Sequence, residues 1–320
     1  MIYKIKHNRV SRSYAGGKQI DRFTGAKTAM DNQYLPEDWT ASITTVYSNQ
    51  TGESEGLGYT TEGIKIKDIV GNDKLSILVK LLDSDERLVI QVHPTVEFAQ
   101  KYLGKSYGKT ECWYFLNCSN DACVYIGFKE EITRSDWEDA FDKQDSQRML
   151  SLLHKISVKP GDFIFVDGGM PHAIGAGCFI IELQEPSDSM VVAERRTPSG
   201  RIIPEKRISM GLDRKLMFDM YDYTGYTKEE LEKKVMPTPK QINQSAYKII
   251  NAEVTDKFSM YKLCAGAKLK LDGKYAVIII TDGEGKLCGK NAKKGDRFFL
   301  ANEKIIELTG NEEFTAIVCE

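Results

Sequence analysis

The sequence predicts a mainly β protein, an antiparallel sandwich or barrel followed by a second, related β unit. Three observations carry that expectation. Six short segments rich in β-branched and aromatic residues succeed one another between 76 and 184. Gly, Pro, Asn or Asp separates them at close intervals, as in sandwiches and barrels. A Gly-Asp turn leading into an apolar strand occurs twice, in "VKPGDFIFVDGGMPHAI" and again in "AKKGDRFFLANEKIIEL".

In order, the expected strands are "SILVKLLD" (76–83), "RLVIQVH" (87–93), "ECWYFLN" (111–117), "ACVYIGF" (122–128), "DFIFVD" (162–167) and "CFIIELQ" (178–184). A small helical insertion is expected at about 134–155. There Ser135 and Glu138 read as a capping box, and Trp137, Phe141, Leu150 and Leu153 supply a buried stripe. A second helical segment, at about 205–235, carries another cap signal at Thr227 and Glu230. The polar, proline-bearing "MPTPKQINQS" (236–245) reads as a linker. The expected domains are therefore 1–240, with both helical pieces, and a β-rich 246–320. Aligning the two Gly-Asp turns without gaps sets Ile306 opposite His172, so only the first copy keeps a polar centre.

Composition narrows the function. The 320 residues include 44 basic and 46 acidic side chains, a formal net charge of −2, unlike the basic balance of most nucleic-acid binders. No run of 18 apolar residues suggests a membrane span, and "MIYKIKHNRV" has no signal-peptide pattern. Seven cysteines without paired spacing fit reduced thiols, so a cytoplasmic location is expected.

The four histidines are His7, His93, His154 and His172, so a histidine-based centre must form before position 173. His7 reads as a surface residue, and His154 as a partner for the end of the inserted helix. In "LVIQVHP", Gln91 and His93 are two apart and share one strand face. Glu111 opens the apolar run "ECWYFL", and His172 follows a Gly-Gly-Met-Pro turn. Burying such groups without partners costs roughly 1–3 kcal/mol each, and more for a carboxylate. One divalent cation would satisfy two imidazoles, a carboxylate and an amide oxygen together, a donor set that suits zinc. A hydrogen-bonded polar core would also satisfy the pair Gln91 and His93.

The order of the blocks "LSILVKLLDSDERLVIQVHP", "GKTECWYF" and "GDFIFVDGGMPHAIGAGCFIIELQEPSD" resembles the type I mannose-6-phosphate isomerases, zinc enzymes built on the cupin barrel. "YAGGKQI" and "PEDWTAS" are similar to further family segments. The resemblance implies two cupin-type jelly-roll barrels, the second degenerate. It implies Zn2+ held by Gln91, His93, Glu111 and His172, with Lys109 and Glu182 facing the same cavity. It also implies interconversion of mannose 6-phosphate and fructose 6-phosphate through a cis-enediol, with a phosphorylated hexose as partner. Val192 stands where the family has an arginine; Val89 replaces a serine, and Thr95-Val96 an acidic pair. Valine cannot hydrogen-bond an anion. Either Arg195 or Arg196 reaches the site from a shifted loop, or phosphate is handled differently, or the activity has changed. A zinc cupin that binds a sugar without isomerising it is the alternative. An iron cupin is a third reading, against which Gln91 counts because that class tends to use three histidines and a glutamate.

Overall fold

The computed structural model describes residues 1–28, 32–46 and 55–320. Among these, the chain is mainly β, as expected, and forms four sheets. One sheet has the strand order Arg9–Val10, Glu37–Thr40, Leu78–Ser84, Cys178–Gln184, Glu111–Cys118 and Phe163–Val166. Facing it are Val191–Val192, Gln91–Val92, His172–Ile174, Cys123–Lys129 and Gly225–Tyr226, with Leu153–Ser157 beside Cys123–Lys129. Alternation decides what each strand buries. Leu82, Trp113, Phe115 and Ile180 of the first sheet meet Val124, Ile126 and Ile174 of the second in one core.

The opposite face of that first sheet packs on the C-terminal unit. Val79, Leu81, Tyr114 and Ile181 share a cluster with Met260, Val277, Ile279 and Ile317. The C-terminal seven-stranded sheet includes Tyr275–Asp282, Arg297–Ala301 and Thr315–Cys319, and the N-terminal strand Ile2–Lys4 pairs at its edge. A four-stranded sheet containing Ile305–Gly310 closes a further core with it.

The two Gly-Asp turns are built alike. Gly161 and Gly295 have φ of 91° and 86°, left-handed values that glycine adopts without a Cβ penalty. Asp162 Oδ2 accepts from the Lys159 amide at 3.0 Å, and Asp296 Oδ2 accepts from that of Lys293 at 3.2 Å. Gly161 N donates to Phe115 O, and Gly295 N to Ile280 O.

Several elements differ from expectation. Of 87–93 only Gln91–Val92 is ladder-paired, because the Glu194 carboxylate takes the Ile90 amide and Pro94 follows at once. The insertion is two helices, Arg134–Lys143 and Ser146–Ser151, broken at Gln144, whose φ is 50°. Thr133 and Asp136 form the capping box instead of Ser135 and Glu138. His154 is no helix-end partner: it lies in the strand Leu153–Ser157, and its Nε2 faces Tyr226 O at 2.7 Å. The Thr227–Glu230 box does cap the helix Lys228–Val235. Within the expected linker, Lys240–Asn243 is an exposed edge strand paired with Ala246–Ile250. Among the described residues no helix is long and apolar enough to cross a membrane.

Candidate metal and active site

The two facing sheets of the first unit bring the polar groups together. Across the first sheet, Trp39, Lys80, Glu182 and Trp113 form one register row. Across the second, Val192, Gln91, His172 and Ile126 form another. Glu111 opens its strand on the same face as Trp113, and His93 follows the strand Gln91–Val92. The loops between are tied by backbone bonds: Gly169 N donates to His93 O at 2.8 Å, and Lys109 N to Pro94 O at 3.0 Å. Gly168 permits this approach, since a Cβ there would lie 2.9 Å from the Thr95 Cα.

His93, Glu111 and His172 are buried, with ligand atoms all within 4.8 Å of one another. Each imidazole is oriented from behind. His93 Nδ1 lies 3.1 Å from Ser189 O, and His172 Nδ1 lies 2.9 Å from Met170 O. A carbonyl only accepts, so both Nδ1 atoms carry hydrogen and both Nε2 atoms present lone pairs. Those lone pairs face the Glu111 carboxylate at 3.3 Å each. Burial, then the Lys109 charge, depresses the His93 pKa from 6.5 to about 3, so at neutral pH this contact is not an ion pair. Burial alone would raise the Glu111 carboxyl, but the Lys109 ammonium holds it well below the ordinary carboxylate range. His172 Nε2 is buried and makes no hydrogen bond. Lone pairs converging on a carboxylate, with one nitrogen orphaned, fit a divalent cation better than a closed hydrogen-bond network.

Lys109 lies just before its strand, yet its ammonium reaches the cluster. It contacts Glu111 Oε2, lies 2.7 Å from His93 Nε2 and 3.7 Å from Glu182 Oε1. Glu182 Oε1 accepts from Lys80 Nζ at 3.0 Å. Burial raises the Glu182 pKa despite the two lysines, with Glu111 adding like charge. Behind them, Arg12 bridges Glu37 and Asp188 at 2.9 Å each, and Glu37 also accepts from Tyr14 and Trp39.

Gln91, Lys109, Glu111 and Glu182 line one cavity of about 60 Å³, together with Val192 and the residues Arg12, Lys80 and Arg207. Arg195 and Arg196 do not line it. Both are exposed: Glu194 turns inward to Arg87, and the Arg195 amide is pinned to Gln144 of the insertion. A larger open groove of about 590 Å³, beside Arg22, Phe23 and Lys262, contains none of the histidine cluster.

Sequence reasoning passed over Lys80, although a lysine inside the apolar run "SILVKLLD" is the same signal that exposed Gln91 and His93. Arg12 and Arg207 come from polar stretches where an arginine is unremarkable.

Fold and cluster together define a β-sheet protein of the cupin-like class with a buried site of metal-binding type. A scan against protein-family models finds no match. The chain is 30% identical over 253 residues to the Bacillus subtilis protein named "Putative mannose-6-phosphate isomerase YvyI", covering 72% of this chain and 70% of that one. It is 27% identical over 308 residues to mannose-6-phosphate isomerase ManA of the same organism, 88% and 90% of the two chains. The crystal structure of the Bacillus subtilis mannose 6-phosphate isomerase superposes with a TM-score of 0.77 at 21% identity, over 100% of this chain and 99% of that one. A Salmonella typhimurium phosphomannose isomerase variant gives 0.69 at 14%, over 99% of each. The chain belongs to the type I mannose-6-phosphate isomerase family.

Proposed function

We propose that this protein is a zinc-dependent aldose–ketose isomerase that interconverts mannose 6-phosphate and fructose 6-phosphate through a cis-enediol. The observation that carries the reading is that Glu111, which the His93 and His172 imidazoles flank, lines one cavity with buried Lys109 and Glu182. Gln91, His93, Glu111 and His172 would hold the metal, which when bound supplies Lewis-acid polarisation of substrate oxygens. Two neutral nitrogens, an amide and one carboxylate suit zinc, and Gln91 counts against the iron alternative.

Glu182 is the proton carrier in this reading. The aldose loses a proton from the carbon beside its carbonyl, the carbonyl oxygen gains one, and the cis-enediol forms. Loss of the neighbouring hydroxyl proton and return of a proton to the former carbonyl carbon gives the ketose. Burial raises the Glu182 pKa, bringing the carboxylate nearer to neutral-pH exchange. Lys80, at 3.0 Å, fixes the carboxylate, and Lys109 stabilises charge on the substrate hydroxyls. A hexose phosphate exceeds about 60 Å³, so the cavity has to widen for entry. We read the two sheet pairs as two cupin barrels divided near 240–246, on the strength of the duplicated turn. We place the protein in the cytoplasm, on its seven free cysteines.

The test is a coupled assay from mannose 6-phosphate to fructose 6-phosphate, with metal analysis, before and after chelation. Turnover that disappears with chelator and returns with zinc is expected. A folded, zinc-loaded protein without turnover would leave the sugar-binding alternative, which Val192 favours.

A further inference from the structure

We propose that Cys118 and Cys178 are an oxidisable pair that closes to a cross-strand disulfide and opens again on reduction. The site lies apart from the metal cluster, and neither cysteine lines the cavity beside it. All seven cysteines are free in the structure, which is therefore the reduced form.

Strand register carries the inference. Cys118 ends the strand that Glu111 opens, Cys178 opens the strand that carries Glu182, and the two are direct partners in the antiparallel ladder. Ser119 N donates to Gly177 O at 2.8 Å, one residue outside the pair, so Cys118 and Cys178 occupy a non-hydrogen-bonded position. Such partners stand about 4.5 Å apart at Cα, with their side chains drawn together. A disulfide spans roughly 4.4–6.8 Å between Cα atoms, so closure leaves the strands paired. Both side chains turn to the same core: Cys178 belongs to it with Phe115 and Ile180, and Cys118 packs against it. The turns beyond are held close, since Gly177 has a φ of 76° and a Cβ there would lie 2.1 Å from Ser119 Oγ.

Access sets the order of events. Cys118 is half-buried beside the exposed Ser119, Asn120 and Asp121, whereas Cys178 is fully buried. Burial, then Asp162, pushes the Cys118 thiol up to about 11; burial, then Cys118 itself, pushes Cys178 up to about 12. Attack therefore starts at Cys118, the more exposed and the more readily ionised of the two. The oxidant is a small-molecule disulfide. Cys118 gives up its proton and its sulfur attacks one sulfur of the reagent, whose S–S bond breaks; the leaving thiolate takes up the proton. Cys178 then gives up its proton and attacks the Cys118 sulfur, the mixed disulfide breaks, and the second reagent thiolate leaves and is protonated. Two protein thiols are oxidised and one reagent disulfide becomes two thiols. The bond closes the loop from 118 to 178, which contains His172, and so restricts the unfolded chain. Transient disulfides of this kind are the sort that a reducing compartment tolerates. Cys123, on a strand of the facing sheet, is the rival partner for Cys178.

The test incubates the folded, zinc-loaded wild type with oxidised glutathione, blocks the remaining thiols and maps the digest by mass spectrometry, with and without dithiothreitol. A Cys118–Cys178 linked peptide that dithiothreitol abolishes is expected. The urea midpoint of the oxidised protein should lie about 1 M above that of the reduced one. Cys123→Ser should keep both results, and Cys118→Ser and Cys178→Ala should lose both. Cys118→Ser carries the comparison alone if the core variant Cys178→Ala fails to fold. No linkage in the folded protein, a link from Cys178 to Cys123, or a link between two chains overturns the proposal. So does a Cys118–Cys178 bond that leaves the urea midpoint at or below that of the reduced protein.

Discussion

Glu111 and Glu182 are both buried in one cavity, and their partners drive them in opposite directions. Glu111 has the Lys109 ammonium against it and stays ionised, whereas burial pushes Glu182 up. That divergence is what the proposed roles require, Glu111 as a ligand and Glu182 as the proton carrier. Glu182→Gln should therefore lower kcat by about 10²–10⁴-fold while zinc content stays at the wild-type level. His172→Ala should do the reverse: bound zinc falls first, and activity falls with it. Metal stoichiometry measured alongside kcat checks both, and a Glu182→Gln enzyme of nearly normal rate removes that residue from proton transfer. These residues were legible because a polar group in an apolar strand announces itself. Arg207 of the cavity wall was not, since only the folded chain sets it beside Val192, fifteen positions away in sequence.

At the scale of elements, the two Gly-Asp turns are alike in geometry and differ in the cores they border. The strand before each turn is bonded to it through Phe115 in one unit and Ile280 in the other. Counting from those residues, Glu111 corresponds to Ala276, and His172 corresponds to Ile306 across the turn; both counterparts are fully buried. Apolar residues fill the second core where the first converges on polar atoms. The turns differ in surroundings. A Cβ at Gly161 meets nothing within 4 Å, whereas at Gly295 it would lie 2.2 Å from Phe23 O. Gly161→Ala should cost about 1–2 kcal/mol from its left-handed backbone, and Gly295→Ala clearly more. Urea midpoints of the two variants compare them directly, and equal losses would show that the Phe23 contact yields freely. The likeness of the two Gly-Asp turns was readable, but the insertion's helix break was not. Nothing local shows that Gln144 takes a left-handed conformation, or that the chain after Leu152 is claimed as a strand by Cys123–Lys129.

On the scale of the molecule, the N-terminal sheet and the C-terminal sheet meet through apolar surface and, among the described residues, through the buried ion pair of Asp38 and Arg297. Glu37 lines the cavity, so alternation turns Asp38 to the other side of the strand, where Arg297 Nη1 of the C-terminal sheet lies 2.7 Å from its Oδ2. His7 joins them, exposed as expected yet with Nδ1 at 3.1 Å from the same oxygen. Burial would raise the Asp38 carboxyl, but Arg297 and His7 bring it from 3.8 down to about 2. A depressed carboxyl stabilises the fold above its unfolded value and stops doing so as pH falls through the folded one. The contribution is about 2 kcal/mol, complete near pH 5 and lost between about pH 4 and pH 2. Asp38→Asn should be less stable at neutral pH, because the buried Arg297 loses its counter-charge. Its deficit against the wild type should then shrink by about 2 kcal/mol on acidification, while the other carboxylates cancel in the difference. Denaturant titrations of both proteins from pH 7 to pH 2 measure it. A deficit that does not change with pH would mean that Asp38 joins the units by shape and hydrogen bonding alone.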